Sequence, residues 1–249
     1  MLVSGQQERQ RGADASKKDK KQKGPRARMN RIMLDAAMRL MQEGLIPSVT
    51  DVAEAAQVSR ATAYRYYPSQ AALIQASVDE ALGPILGWQS DSQDSEQRMR
   101  ELLTFAYPRM EMYEATLKAA LRLALDQWAR RHAGSLGEEA PMQRGHRIGL
   151  LASAISPLKS QLGSRQFERL SQGLSLIFGT EAFVVLKDIW GLDRKQAEDV
   201  ALWTCHALIR SAIDEAGGEA PRKTKTTATR KTSAARRTTA PRKRAKPAK

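Results

Sequence analysis

Between Ala27 and Ile213 apolar residues return at three- and four-residue spacing almost without interruption, and no alternating stretch of useful length intervenes. A period near 3.6 buries one stripe of a helix, whereas a strand needs a period of two. That pattern restricts the chain to an all-α architecture, with its sixteen glycines and ten prolines supplying the breaks. At 249 residues there is room for one or two domains with proper cores. Aromatic residues are only 5% of the chain, so the interior is expected to be aliphatic.

The net charge of +14 is unevenly placed. Residues 1–31 hold ten Lys/Arg against Glu8, Asp14 and Asp19 (+7), and 219–249 hold twelve against Glu219 (+11), which leaves −4 for 32–218. A mildly acidic body therefore stands between two basic arms, and such arms suit polyanions, nucleic acid foremost. The run from Lys17 to Lys23 cannot bury enough apolar surface to order itself. From Gly217 onward the tail is low in complexity, made almost wholly of Lys, Arg, Thr, Ala, Pro, Ser and Gly. One cysteine, Cys205, leaves no intrachain disulfide framework and fits a reducing compartment. No apolar core of a signal peptide follows Met1, Leu2 and Val3, and no stretch nears the roughly 18 apolar residues of a membrane span. The expectation is a cytoplasmic, nucleoid-associated protein with no membrane partner.

The first helix is expected over about 27–43, ended by Gly44, with Ile32, Ala36, Ala37, Leu40 and Met41 as its buried stripe. Ser48 and Asp51 make a capping box for a short second helix whose apolar face is Val52, Ala53 and Ala56. Gln57, Val58 and Ser59 separate it from a third, Arg60 to Tyr67, which Ser59 caps and Pro68 stops; Ser69 caps a longer helix through Leu82. Two short helices joined by a three-residue turn form a helix-turn-helix. Ala53, Ala56 and Ala61 are small enough for a close, steep crossing. The outward face of the third helix then presents Arg60, Thr62, Tyr64, Arg65 and Tyr66, a set that can reach base edges and phosphates together in a major groove.

The stretch Ile32, Ala36, Ala37, Leu40, followed by Val52-Ala53-Glu54-Ala55-Ala56-Gln57-Val58-Ser59-Arg60-Ala61-Thr62-Ala63-Tyr64-Arg65-Tyr66-Tyr67-Pro68-Ser69-Gln70-Ala71-Ala72-Leu73, resembles the DNA-binding domain of TetR-type transcriptional regulators. The resemblance covers about 27–75. It implies an N-terminal three-helix helix-turn-helix DNA-binding domain, then a helical domain that binds an effector and dimerises. It makes Arg60 and Thr62 the base-contacting residues and Tyr64, Tyr66 and Thr50 the phosphate contacts, within a DNA-facing set of Ser48, Thr50, Ser59, Arg60, Ala61, Thr62, Tyr64, Arg65 and Tyr66. Two positions depart from the family pattern. Gln57 stands in the turn where glycine is usual, and a left-handed residue other than glycine costs about 1 kcal/mol. Gln70 stands where a lysine usually follows the capping serine.

Beyond Leu82, helical segments are expected at about 95–112, 114–132, 143–162, 164–190 and 194–215. In the fourth, Leu170, Leu174, Ile177, Phe178, Ala182, Val185 and Ile189 form one stripe. In the fifth, Asp193 and Gln196 cap the start, and stripes Ala201, Cys205, Leu208, Ala212 and Leu202, His206, Ile209, Ile213 lie side by side. So wide an apolar arc needs burial on two sides, and a homodimer through 164–190 and 194–215 supplies it.

The large groups Trp88, Phe105, Tyr107, Met110, Met112, Tyr113 and Trp128 lie on helices that would surround an effector pocket, but as a class they read first as core, and none is assigned to a ligand. His132 and His146 read as surface or capping residues. Phosphate-loop, dinucleotide, nucleophile-elbow and zincin motifs are missing, and three scattered histidines give no metal spacing. The reading is a non-enzyme without cofactor or metal: a sequence-specific regulator of transcription, a repressor modulated by a small-molecule effector, with double-stranded DNA as partner. Its domains would be a basic arm (1–26), a reader (27–75), a regulatory and dimerisation domain (76–216) and a tail (217–249). The alternative is a nucleoid-associated, DNA-organising protein working mainly through its basic tails, since arginine and lysine clusters in an Ala/Thr/Pro matrix resemble those of linker-histone-like proteins.

Overall fold

A computed structural model describes residues 24–217; the arm before Gly24 and the tail after Gly217, with the expectations placed on them, lie outside the described residues. The described chain is all-α, with a helix-turn-helix domain followed by a larger helical domain, and no strand occurs in it. Its ten helices are α1 (Pro25–Gln42), α2 (Val49–Ala55), α3 (Arg60–Tyr66), α4 (Gln70–Leu86), α5 (Ser95–Met112), α6 (Glu114–His132), α7 (His146–Ala154), α8 (Ser164–Leu174), α9 (Thr180–Phe183) and α10 (Arg194–Gly217). A 3₁₀ turn at Ser156–Ser160 and a π-helical stretch at Val184–Ile189 complete the set.

Local chemistry explains most of the boundaries. Ser48 accepts from the Asp51 N–H while Asp51 accepts from the Ser48 N–H, closing the expected capping box. Ser59 and Ser69 cap α3 and α4 by accepting from Thr62 N and Ala72 N. Asp193 and Gln196 cap each other's backbone at the head of α10. Helix α1 ends in a left-handed Gly44 (φ 85°), with Leu45 N donating to Leu40 O and Gly44 N to Met41 O. Helix α2 ends in the same pattern, Val58 N to Ala53 O and Gln57 N to Glu54 O, but its left-handed residue is Gln57 at φ 55°. Among the described residues Gln57 is the only non-glycine with positive φ.

Four expectations change in detail. Met33 and Leu34 are buried while Ile32 is 41% exposed, so the inward stripe of α1 runs through Met33, Ala36, Ala37 and Met41. The small residue at the core side of α3 is Ala63, fully buried, whereas Ala61 is exposed. Segment 143–162 is helical only from His146, and it passes into the 3₁₀ turn after Ala154. Segment 164–190 is not one rod, because α8 stops at Leu174 and Gly179 (φ 125°, ψ −178°) redirects the chain before α9. Leu170, Leu174, Ile177, Phe178 and Ala182 are buried as expected, but Val185 and Ile189 lie in the π-helical stretch and face outward.

The core is continuous from reader to body. Helix α1 packs on α2, α4 and α6; α4 packs on α5 and α6; and α10 packs on α5 and α8. Fully buried Leu73, Ile74, Met99, Leu102, Leu103 and Tyr107 lie along this spine. The Tyr107 hydroxyl donates to Ile177 O at 2.7 Å and its ring meets Phe183 edge-on, which removes the penalty of a buried unpaired hydroxyl. Arg98 is 8% exposed and pairs with no carboxylate among the described residues. It donates instead to Ser153 O and Ala154 O at the end of α7 and to Ser90 O and Ser92 O in the α4–α5 connection. A cation at a helix C-terminus meets both its orphan carbonyls and its negative dipole end, so Arg98 holds α7 in place.

Candidate nucleic-acid interface and ligand pocket

Helices α2 and α3 form a compact corner in which Val52, Ala53 and Ala63 are buried. The small side chains allow the close approach, and the two serine caps and the Gln57 turn set the angle between the helices. Burial of Ala63 aims the opposite face of α3 outward. Arg60, Ala61, Tyr64 and Arg65 are exposed there, with Tyr64 at 47%, and Thr62 is half-buried. The Thr62 hydroxyl accepts from Ser59 Oγ at 2.9 Å, which orients it while leaving its own proton free to donate. Thr50, half-buried in the first turn of α2, lies on the partner helix. Ser48 and Ser59 are occupied in capping. Tyr66 is turned toward α1, where its hydroxyl donates to Arg26 O at 3.3 Å and the Arg26 guanidinium stands 5.8 Å from its ring centre.

Two residues serve the reader in ways that sequence spacing did not suggest. Gln70 reaches back to donate to Ile46 O and Pro47 O, fastening the head of α4 to the loop before α2. Tyr67 donates to Asn30 Oδ1 at 2.5 Å, and burial pushes its phenol up to about 12, so it stays a proton donor at any ordinary pH. Both contacts span more than twenty residues of sequence, beyond the reach of local pattern.

A second feature lies under α4. Val78, Leu82 and Ile85 of α4, Met110 of α5, and Leu117, Ala120 and Leu121 of α6 wall a cavity of about 90 Å³, closed by Leu150 and Phe178 and rimmed by Met142–Arg147, Gly179 and Thr180. Of the seven large groups noted in the sequence, only Met110 lines this pocket; Trp88 and Phe105 border a separate shallow one. At the rim, Arg144 and Arg147 both donate to the Glu181 carboxylate, and Arg147 also donates to Ser175 O. Burial alone would raise the Glu181 carboxyl, but Arg147 and then Arg144 outweigh it and hold the group below the ordinary carboxylate range.

The rim is tied to the reader. Gln75 on α4 accepts from Gln143 N at 3.2 Å, and Asp79 one turn later faces His146 Nε2 at 3.2 Å. His146 is therefore a tether between α4 and α7. Helix α4 also packs on α1, so the rim and the helix-turn-helix share one helix. Among the described residues, no group of three or more His, Cys, Asp or Glu is placed to hold a metal ion, and no helix is long and apolar enough to cross a membrane.

Residues 33–77 match the model of the family "Bacterial regulatory proteins, tetR family". That span takes in most of α1, all of α2 and α3, and the first half of α4. No curated protein sequence matches the chain. A solved TetR transcriptional regulator from Rhodococcus sp. RHA1 superposes with a TM-score of 0.47 at 17% identity, over 75% of this chain and 97% of that one.

Proposed function

We propose that this chain is a DNA-binding regulator of transcription that reads a specific site with α3, acts as a repressor, and responds to a small-molecule effector held under α4. The observation that carries the reading is the outward face of α3, where Arg60, Thr62, Tyr64 and Arg65 stand on a short helix braced by α2 within the span matching the family model. Arg60 and Thr62 are the base-contacting residues in this proposal. Tyr64 and Thr50 hold phosphates, and Ser48, Ser59 and Ala61 shape the approach. Tyr66 supports the site from behind by fixing the start of α1.

The proposed partner is a second copy of the chain, joined through 164–190 and 194–215. Leu176, Val185, Ile189, Trp190, Val200 and Trp203 are large apolar groups left exposed on these segments, and Trp190 and Trp203 are 72% and 73% exposed. A symmetric pair would cover them and set two α3 helices in successive major grooves of a near-palindromic site. The domain limits at 26, 75 and 216 belong to the same proposal.

The charge of 219–249 favours a second reading, in which the tails coat DNA without regard to sequence and the body merely pairs. In vitro selection and footprinting with the full chain at low and raised salt separate the two. A short inverted repeat whose protection survives the higher salt, and is lost in Thr62→Ala and Tyr64→Ala while the oligomeric state holds, supports the regulator. Uniform coverage with no enriched sequence, collapsing with salt, supports the tail reading instead.

A further inference from the structure

We propose that the pocket under α4 takes a small amphipathic molecule with a carboxylate-type head, the head lying between Arg144 and Arg147 where the Glu181 carboxylate now sits and the apolar body running inward over Met110, Leu117 and Phe178. This deepens the effector-responsive reading above and rests on it for its regulatory meaning.

The lining is divided by depth. Its inner wall is aliphatic and aromatic, and every ionisable residue in the lining is basic: Arg144, His146 and Arg147, all within one short stretch at the rim. His146 is committed to Asp79. The two guanidiniums share one carboxylate, Glu181, so this arginine pair carries one positive charge more than its partner neutralises. A guanidinium fork matches the planar, two-oxygen geometry of a carboxylate, and an apolar surround strengthens the pairing. Arg147 is also pre-set: its guanidinium lies against Gly179, where an added Cβ would fall 2.7 Å from Cζ, and it donates to Ser175 O at 3.1 Å. A neutral molecule would forgo the charge assistance of this pairing, and a cation would face like charge.

The same stretch holds α4 through Gln143 N and His146. A head group that takes the place of the Glu181 carboxylate between Arg144 and Arg147 therefore bears on the segment tethered to α4, and its regulatory effect in the proposed function rests on that tether.

The test is calorimetric titration of the full chain, without DNA, with dodecanoate, dodecanol and dodecylammonium, the two ions below their micelle-forming concentrations and the alcohol below its solubility limit. Dodecanoate is expected to bind at least about tenfold tighter than dodecanol, and dodecylammonium more weakly than both. Arg147→Gln and Arg144→Gln should each erase most of that preference, and a thermal melt of each variant beside the titration guards against a folding artefact. Glu181→Gln, by removing the internal competitor, should tighten dodecanoate. Equal affinities, a preference for the ammonium, no binding by any of the three, a preference that survives both arginine substitutions, or weaker binding in Glu181→Gln would overturn the proposal. Because the titration contains no DNA, such a failure leaves the footprinting result standing, and a failed footprint leaves the titration standing.

Discussion

Arg147 and Gly179 are fitted to one another: the guanidinium occupies the space a side chain at 179 would need, and the glycine holds a backbone conformation (φ 125°, ψ −178°) closed to other residues. Gly179→Ala is expected to cost about 1–3 kcal/mol from backbone strain, with the displaced arginine adding to it. The part due to Arg147 is separable. In an Arg147→Ala background the same substitution should cost measurably less, and equal costs in both backgrounds, read from urea melts, would refute the contact.

Helices α1 and α2 close with the same hydrogen-bond pattern, one on Gly44 and the other on Gln57. Gln57→Gly should therefore stabilise the protein by up to about 1 kcal/mol, since glycine adopts φ 55° without the Cβ clash but gives back some chain entropy on unfolding. The expected signature is a higher urea midpoint at unchanged slope. A lower midpoint would mean that the Gln57 side chain contributes more than its backbone costs.

Arg98 binds four backbone carbonyls. Arg98→Leu leaves the last turn of α7 and the 90–92 loop without donors and is expected to cost about 2–4 kcal/mol. Arg98→Lys should recover only part, because an ammonium cannot span the same four acceptors. Hydrogen exchange would localise the loss: amides of α7 should lose protection before those of α2 and α3.

Acid should weaken the body before neutral chemistry does. Glu139 is held down chiefly by the hydrogen bond from Gln127. For Glu114 and Glu181 burial would raise the carboxyl, but Lys118 and Lys187, and Arg147 and Arg144, outweigh it. A carboxylate depressed in the folded state stabilises fully above its ordinary value, 4.5 here, and that contribution is lost as pH falls through the lower folded value. The melting temperature should be level from neutral pH to about 5 and decline below about 4.5. Glu181→Gln should start lower and decline less steeply, and parallel curves would exclude Glu181 as a contributor.

The reader was legible because its signals are local. Ser48, Ser59 and Ser69 announce helix starts to residues three positions away, and the Gln57 turn lies between two short apolar runs, so a pattern scan reaches them. The body was legible only where caps were strong, as at Asp193. Apolar spacing through 164–190 describes helical periodicity on both sides of Gly179, and it carries no record of the change of direction there. Ala61 and Ala63 are alike in the sequence, and only packing against α2 distinguishes them. The pocket rim depends on Arg147 meeting Glu181, thirty-four positions away, and Gln75 meeting Gln143, sixty-eight away. Pairings at such distances are set by how helices stack, and no spacing rule reaches that far.

The chain's four tryptophans are Trp88, Trp128, Trp190 and Trp203, and the last two are nearly three-quarters exposed on the segments proposed to pair. Indole emits at longer wavelength when wet than when enclosed, so association through that face would carry its own optical signal. Dilution through the dissociation range should redden the emission, and Trp203→Phe should remove much of the change. The proposed self-association can thus be followed without attaching a label.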